Sequence, residues 1–172
     1  MKHNVSRAQL LSGDLEGESV PFRPPWALTE VDFVDRCNGC GDCISACPDG
    51  LIVAGRGRLP QMEFVRGGCD FCAACVDVCK VGALVPGEAS IVSPWRIKAT
   101  IQPACLSLNA IICRSCGEVC DERAIRFKLA TGGVAIPLLD SGLCSGCGAC
   151  FAVCPIQAVT LSSTNESRNQ AA

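Results

Sequence analysis

An α+β fold of two tandem modules behind an N-terminal arm is what this chain predicts, and three observations predict it. Sixteen cysteines in 172 residues fall into four groups of four. Four and five residues after the last cysteine of every group comes a small apolar pair: Leu51-Ile52, Ala83-Leu84, Ala124-Ile125 and Ala158-Val159. Before every group lies a short apolar segment that reads as extended: Val31-Asp32-Phe33-Val34, Met62-Glu63-Phe64-Val65, Ala99-Thr100-Ile101 and Ile136-Pro137-Leu138-Leu139. Self-similarity of this kind marks a repeated structural unit. Each unit reads as strand, cysteine loop, one short helical turn and second strand.

The elements follow in order. Residues 1–30 form an arm without cysteine and with too few apolar residues for a core of its own. It is either a recognition arm or a strap packed across the first module by Trp26. Residues 31–85 make the first module, with groups one and two. Within it Gly55-Arg56-Gly57-Arg58 lacks the third glycine of a dinucleotide fingerprint and reads as a hairpin turn. Residues 86–98 carry two prolines, Pro86 and Pro94, and read as a linker. Residues 99–161 make the second module, with groups three and four, and 162–172 read as a tail.

The cysteine spacing carries the chemistry. The groups are Cys37, Cys40, Cys43, Cys47; Cys69, Cys72, Cys75, Cys79; Cys105, Cys113, Cys116, Cys120; and Cys144, Cys147, Cys150, Cys154. Three have the spacing C-x2-C-x2-C-x3-C, in which three cysteines hold one [4Fe–4S] cube and the fourth reaches another. A zinc site instead uses pairs separated by a dozen or more residues. Small intervening residues, such as Asn38-Gly39 and Gly148-Ala149, let backbone N–H groups approach the cube. The third group is irregular, with Leu106 to Ile112 inserted between Cys105 and Cys113. Either that loop bulges and Cys105 still closes the same corner, or Cys105 is a buried thiol outside a three-cysteine site. The expected cofactors are therefore four [4Fe–4S] clusters, three at least.

Two such units make the bacterial two-cluster ferredoxin fold. The similar gaps between groups one and two and between three and four favour pairing neighbours. Cys37, Cys40 and Cys43 would then share a cube with Cys79, and Cys69, Cys72 and Cys75 one with Cys47. Cys105, Cys113 and Cys116 would go with Cys154, and Cys144, Cys147 and Cys150 with Cys120. A nested pairing, group one with four and two with three, is the alternative. Modules of this size draw little stability from one hydrophobic core, so the clusters are expected to staple each half.

Composition narrows the function. No apolar run has the length of a secretory signal core or of a membrane span, which leads to the expectation of a cytoplasmic chain with reduced thiols. A formal net charge of -2 gives no basic footprint for nucleic acid. There is one histidine, His3, and no tyrosine, and no paired carboxylates stand out, so no catalytic residue is expected. A cube held by four cysteines leaves one-electron exchange as its chemistry, which argues against an enzyme.

Three stretches carry a family resemblance: Pro21-Phe22-Arg23-Pro24-Pro25-Trp26 before the first run, the stretched C-x7-C-x2-C-x3-C of the third, and the closing run from Cys144 to Pro155. In these the chain resembles the NapF family, ferredoxin-type proteins of the periplasmic nitrate reductase system. The resemblance runs from about Val5 to Leu161. It implies that Cys105 is a ligand, since the irregularity belongs to the family pattern. It also implies a cytoplasmic iron–sulfur protein that acts on the catalytic subunit, the NapA precursor, before export and helps to mature it. An electron-transfer subunit relaying to a reductase is the competing function. One departure is Arg7-Ala8, where some relatives carry two adjacent arginines.

Overall fold

The computed structural model describes residues 21–86, 94–130 and 132–163. The first twenty residues of the expected arm, the middle of the expected linker and the tail from residue 164 lie outside the described residues. Two compact units result: residues up to Glu63 together with Ala74–Val85, and Phe64–Ala73 together with the residues from Pro86 onward. The segment Phe64–Ala73, which the spacing assigns to the first module, thus makes its contacts in the second unit.

The first unit begins with a strap. Pro24 and Pro25 are fully buried, and Arg23 fixes them. Its guanidinium makes a two-pronged ion pair with Glu30 (Nη2–Oε1 2.7 Å, Nε–Oε2 2.9 Å) and donates to the carbonyl oxygen of Pro60 at 3.0 Å. It also lies 5.0 Å above the Phe33 ring. Residues 21–30 are therefore the strap of the two sequence alternatives, pinned by Arg23 and the buried prolines. α1 (Glu30–Arg36) follows, where the sequence predicts a strand at Val31–Val34. The helix wins because Thr29 caps it, accepting from the backbone N–H of Asp32. Acidic Glu30 and Asp32 occupy its first turn and Arg36 its last. Only Phe33 of the expected strand is buried, while Val31 and Val34 are exposed. The strand role passes to Ala27, which bridges Leu84 in antiparallel sense.

Next come α2 (Asp42–Ala46), then β1 (Ile52–Ala54) and β2 (Pro60–Met62), an antiparallel hairpin in register Ile52 with Met62. The turn between them is Gly55–Arg58, as the sequence predicts. α3 (Ala74–Asp77) completes the unit.

The second unit holds β3 (Ile97–Ile101), α4 (Ser115–Glu118), β4 (Ile125–Leu129), β5 (Ala135–Leu139), α5 (Ala149–Ala152) and β6 (Val159–Ser163). β3 pairs antiparallel with β6, and β4 with β5. The strand before group three thus pairs with the strand after group four, and the two inner strands pair with each other. This is the pseudo-twofold arrangement of neighbouring repeats. β3 starts inside the expected linker, and β6 takes Ser162 and Ser163 from the expected tail, pairing them with Lys98 and Ile97.

One hydrogen bond recurs in all four repeats and registers them. The first carbonyl of each small apolar pair accepts from a backbone N–H of the neighbouring repeat: Leu51 from Glu63, Ala83 from Leu28, Ala124 from Asp140 and Ala158 from Gln102, at 2.7–3.2 Å. All eight residues of these pairs are buried. Ala99, Ala124, Ile125 and Val159 form the core of the second unit together with Cys116, Cys144 and Cys150. The core is thus built directly on cysteine side chains, which couples packing to whatever the cysteines hold.

Candidate iron–sulfur sites

In each unit the cysteines surround a cavity. The first site has Cys37, Cys40, Cys43 and Cys79 around a space of about 260 Å³ that Phe33 and Lys80 also line. The fourth has Cys144, Cys147, Cys150 and Cys120 around about 240 Å³, with Cys69 on the same wall. At the third, Cys105, Cys113, Cys116 and Cys154 line a narrower space of about 20 Å³, closed by Leu106, Phe127 and Ile156. In all three, three cysteines of one run are joined by the last cysteine of the neighbouring run, the arrangement that neighbour pairing expects, whereas among the described residues no one cavity gathers Cys69, Cys72, Cys75 and Cys47. Cys105 stands with the other three thiols although seven residues separate it from Cys113. The remaining cysteines divide between the units: Cys69 and Cys72 belong to the second, Cys47 and Cys75 to the first.

The loops show why these residue types are needed. In the first and fourth runs the residue before the second cysteine and the residue after it both have positive φ, as at Gly146 (78°) and Gly148 (89°). This left-handed conformation turns the chain around the cavity and is easy only without a Cβ. The second run takes the same path with Phe71 (58°) and Ala73 (62°), which is costlier backbone. Asn38 and Asp70 support the turns, their Oδ1 atoms accepting from the N–H groups of Cys40 and Cys72 at 3.2 and 3.1 Å. These two caps escape a reading of cysteine spacing alone, although an Asx residue two before a cysteine is a visible signal. The inserted loop of the third run has its own frame. Buried Ser107 donates to the carbonyl oxygen of Ala135, and Asn109 Nδ2 donates to the carbonyl oxygens of Pro103 and Cys105 at 2.8 and 2.9 Å.

Electrostatics couples the thiols within each run and across to the neighbouring run. Burial, then Cys37, Cys40 and Cys75, pushes the Cys43 thiol up to about 11. Burial, then Cys105 and Cys113, with Cys154 contributing, pushes Cys116 up to about 11. Burial, then Cys147 and Cys144, with Cys116 and Cys120 contributing, pushes Cys150 up to about 12. Neighbouring thiolates repel, so the chain alone keeps these sulfurs protonated, and a cation between them is what would relieve the repulsion.

Backbone N–H groups also aim at sulfur. Leu51 donates to Cys47 Sγ and Leu84 to Cys79 Sγ, each at 3.4 Å, and Ala158 to Cys154 Sγ at 3.1 Å. Such bonds stabilise thiolate ligands and tune the potential of what they bind. Among the described residues no three His, Cys, Asp or Glu side chains gather closely enough to hold a single metal ion. The thiols ring a space instead, which fits the wider spread of sulfurs around a cube. Donor chemistry, spacing and the larger cavities fit [4Fe–4S] groups.

The packing that builds the fourth site comes from β3 and the segment Phe64–Ala73. Trp95 is buried, donates through Nε1 to the carbonyl oxygen of Ser145 at 2.9 Å and meets Phe64 and Phe71 edge-on at 5.6 and 5.3 Å. Phe71 therefore packs, as does Trp95.

Comparisons with known proteins agree. A family model described as a 4Fe-4S dicluster domain matches residues 26–84, and a second of the same description matches 111–168, beginning after Cys105. The chain is 40% identical over 161 residues to the "Ferredoxin-type protein NapF" of Haemophilus influenzae, covering 94% of this chain and 90% of that protein. It is 37% identical over 165 residues to the protein of the same name in Escherichia coli K12, covering 93% and 96%. It is also 32% identical over 162 residues to the "Methylamine utilization ferredoxin-type protein MauM" of Methylorubrum extorquens, covering 81% and 70%. The chain is thus built of two tandem 4Fe–4S dicluster ferredoxin domains, binds several [4Fe–4S] clusters and belongs to the NapF family of ferredoxin-type proteins.

Proposed function

We propose that the sixteen cysteines ligate four [4Fe–4S] clusters in the neighbour pairing, and that the chain serves in the cytoplasm in maturing NapA, the catalytic subunit of the periplasmic nitrate reductase, before its export. The observation that carries the reading is the NapF likeness at 37–40% identity across more than nine-tenths of the chain, together with a cysteine set intact in all four runs. When bound, such clusters supply one-electron exchange. The chain's own residues position them. The Gly39/Gly146-type turns wrap the cavity, N–H groups of Leu51, Leu84 and Ala158 face sulfur, and Phe33, Phe127 and Trp95 pack behind the thiols. On this reading the cysteines serve as ligands and the chain acts as a carrier of clusters rather than as an enzyme.

The test is co-purification of the tagged chain with NapA. The signal-bearing precursor should be retained and the exported, mature enzyme should not. Equal retention of both, or of neither, would favour an electron-transfer subunit over a maturation factor. Among the described residues no helix is long and apolar enough to cross a membrane.

A further inference from the structure

The third site has a neighbour that the family likeness does not explain. An open basin of about 660 Å³ in the second unit is lined by Arg114, Gly117, Glu118, Arg123, Arg126 and Phe127, with Ile125 beneath. Three guanidinium groups against one carboxylate make it cationic, on a chain of net charge -2. Among the described residues none of these arginines forms an ion pair. Arg114 is held over the Phe127 ring at 5.8 Å, and Arg126 Nε donates to the carbonyl oxygen of Arg123 at 3.3 Å. Packing and backbone contacts thus hold Arg114 and Arg126 in place without an ion pair among the described residues.

Arg123 is itself unusual. Three residues after the last cysteine, every repeat has positive φ: Gly50 and Gly82 in the first module, Arg123 (50°) and Gln157 (54°) in the second. Glycine adopts this conformation freely, whereas an arginine is strained in it. Both repeats of the second unit carry a long polar side chain at this position, and in the third repeat that side chain is a cation that lines the basin.

Phe127 connects this surface to the redox chemistry. Its ring lines the basin and also closes the space ringed by Cys105, Cys113, Cys116 and Cys154. Whatever sits in the basin is one aromatic side chain from the third site.

We propose that this basin is the docking surface for an acidic one-electron carrier protein, which exchanges electrons with the third site across Phe127. The inference rests on the iron–sulfur reading above. One electron leaves the carrier's own redox centre and arrives at the third site, or the reverse, with no bond made or broken and no proton moved. Charge complementarity selects the partner. Carboxylates on the carrier neutralise the three arginines, and steering of this kind speeds encounter at low salt.

The test uses the anaerobically purified holoprotein and a plant-type [2Fe–2S] ferredoxin as the acidic carrier, with binding followed by calorimetry and electron exchange by stopped flow. Binding to the wild-type chain should tighten as salt is lowered. Arg114→Glu/Arg123→Glu/Arg126→Glu should weaken binding and slow exchange roughly tenfold or more. The triple Arg→Lys variant keeps the charge and should retain the salt dependence. Iron content and the paramagnetic resonance signal after photoreduction by a small molecule must match between wild type and variants, which separates lost docking from lost clusters. Absent binding, equal binding by wild type and the glutamate variant, or binding that strengthens with salt would overturn the proposal. A wild-type chain without clusters would instead sink the iron–sulfur reading beneath it.

Discussion

The backbone N–H of Cys69 donates to the carbonyl oxygen of Cys147 at 2.8 Å, joining the loop of the second cysteine run to the loop of the fourth. This close approach depends on glycines. A Cβ at Gly68 would meet the backbone of Ala149, and one at Gly148 would collide with the Phe64 ring. Gly148→Ala adds left-handed strain to overpacking, for a loss on the order of 2–4 kcal/mol. We expect a protein that loads fewer irons, with the deficit at the fourth site, measured by iron per chain and by thermal unfolding. An alanine variant with full iron and unchanged unfolding would show that the two loops are not packed in this way.

Arg23 anchors the strap of the first unit through a two-pronged bond to Glu30, with exposures of 12% and 38% for the two side chains. Replacing it with alanine should cost about 1–3 kcal/mol, the smaller figure applying if the half-exposed Glu30 is resolvated. Arg23→Lys should not restore the loss, because a single ammonium cannot hold Glu30 and the Pro60 carbonyl in the same fork. Thermal melts of the holoprotein variants measure this. Full rescue by lysine would reduce the contact to simple charge.

Cys105 is the residue on which the sequence leaves two readings. The structure brings it to Cys113, Cys116 and Cys154. Cys105→Ser should therefore lose or convert the third cluster, visible as reduced iron and an altered paramagnetic resonance spectrum. A variant with wild-type iron and spectrum would make Cys105 a bystander.

Iron uptake should depend on pH in a definite direction. In the metal-free chain burial and neighbouring sulfurs raise Cys43, Cys116 and Cys150 above the ordinary thiol value of 9.0, to about 11, 11 and 12. Near neutrality these thiols hold protons that iron must displace. Loading should thus fall as pH drops and rise as it climbs from about 6.5 to 8.5, with protons released into a weakly buffered medium on reconstitution. Uptake that is flat or that improves in acid would mean these sulfurs are not the ligands.

Because the second unit's core includes Cys116, Cys144 and Cys150, removal of iron should unfold most of the chain. Far-UV circular dichroism of demetallated protein measures this, and retained native ellipticity would contradict it.

Much of this organisation is legible in the sequence, and for physical reasons. The apolar pair after each run is local in sequence and buried in space, so its pattern survives reading. β4 and β5 reveal themselves by composition, and Gly55–Arg58 by its turn chemistry. What escapes is non-local or competes with pattern. Val31–Val34 looks extended, yet the Thr29 cap and the charges of Glu30, Asp32 and Arg36 make α1, decided by four side chains outside the apolar pattern. Phe64–Ala73 lies within the first module by spacing but packs with Trp95 and Ala149, a choice set by the glycine contacts at 68 and 148. The basin at Arg114, Arg123 and Arg126 is spread over thirteen residues of helix, loop and strand, and only folding gathers its charge.

The central claim is that all four cysteine sets hold cubes. Iron and acid-labile sulfide per chain, measured on anaerobically purified protein, test it most directly. The account predicts about sixteen of each. Colourless protein containing zinc or disulfides would contradict it outright, and about twelve would contradict it at the irregular third site.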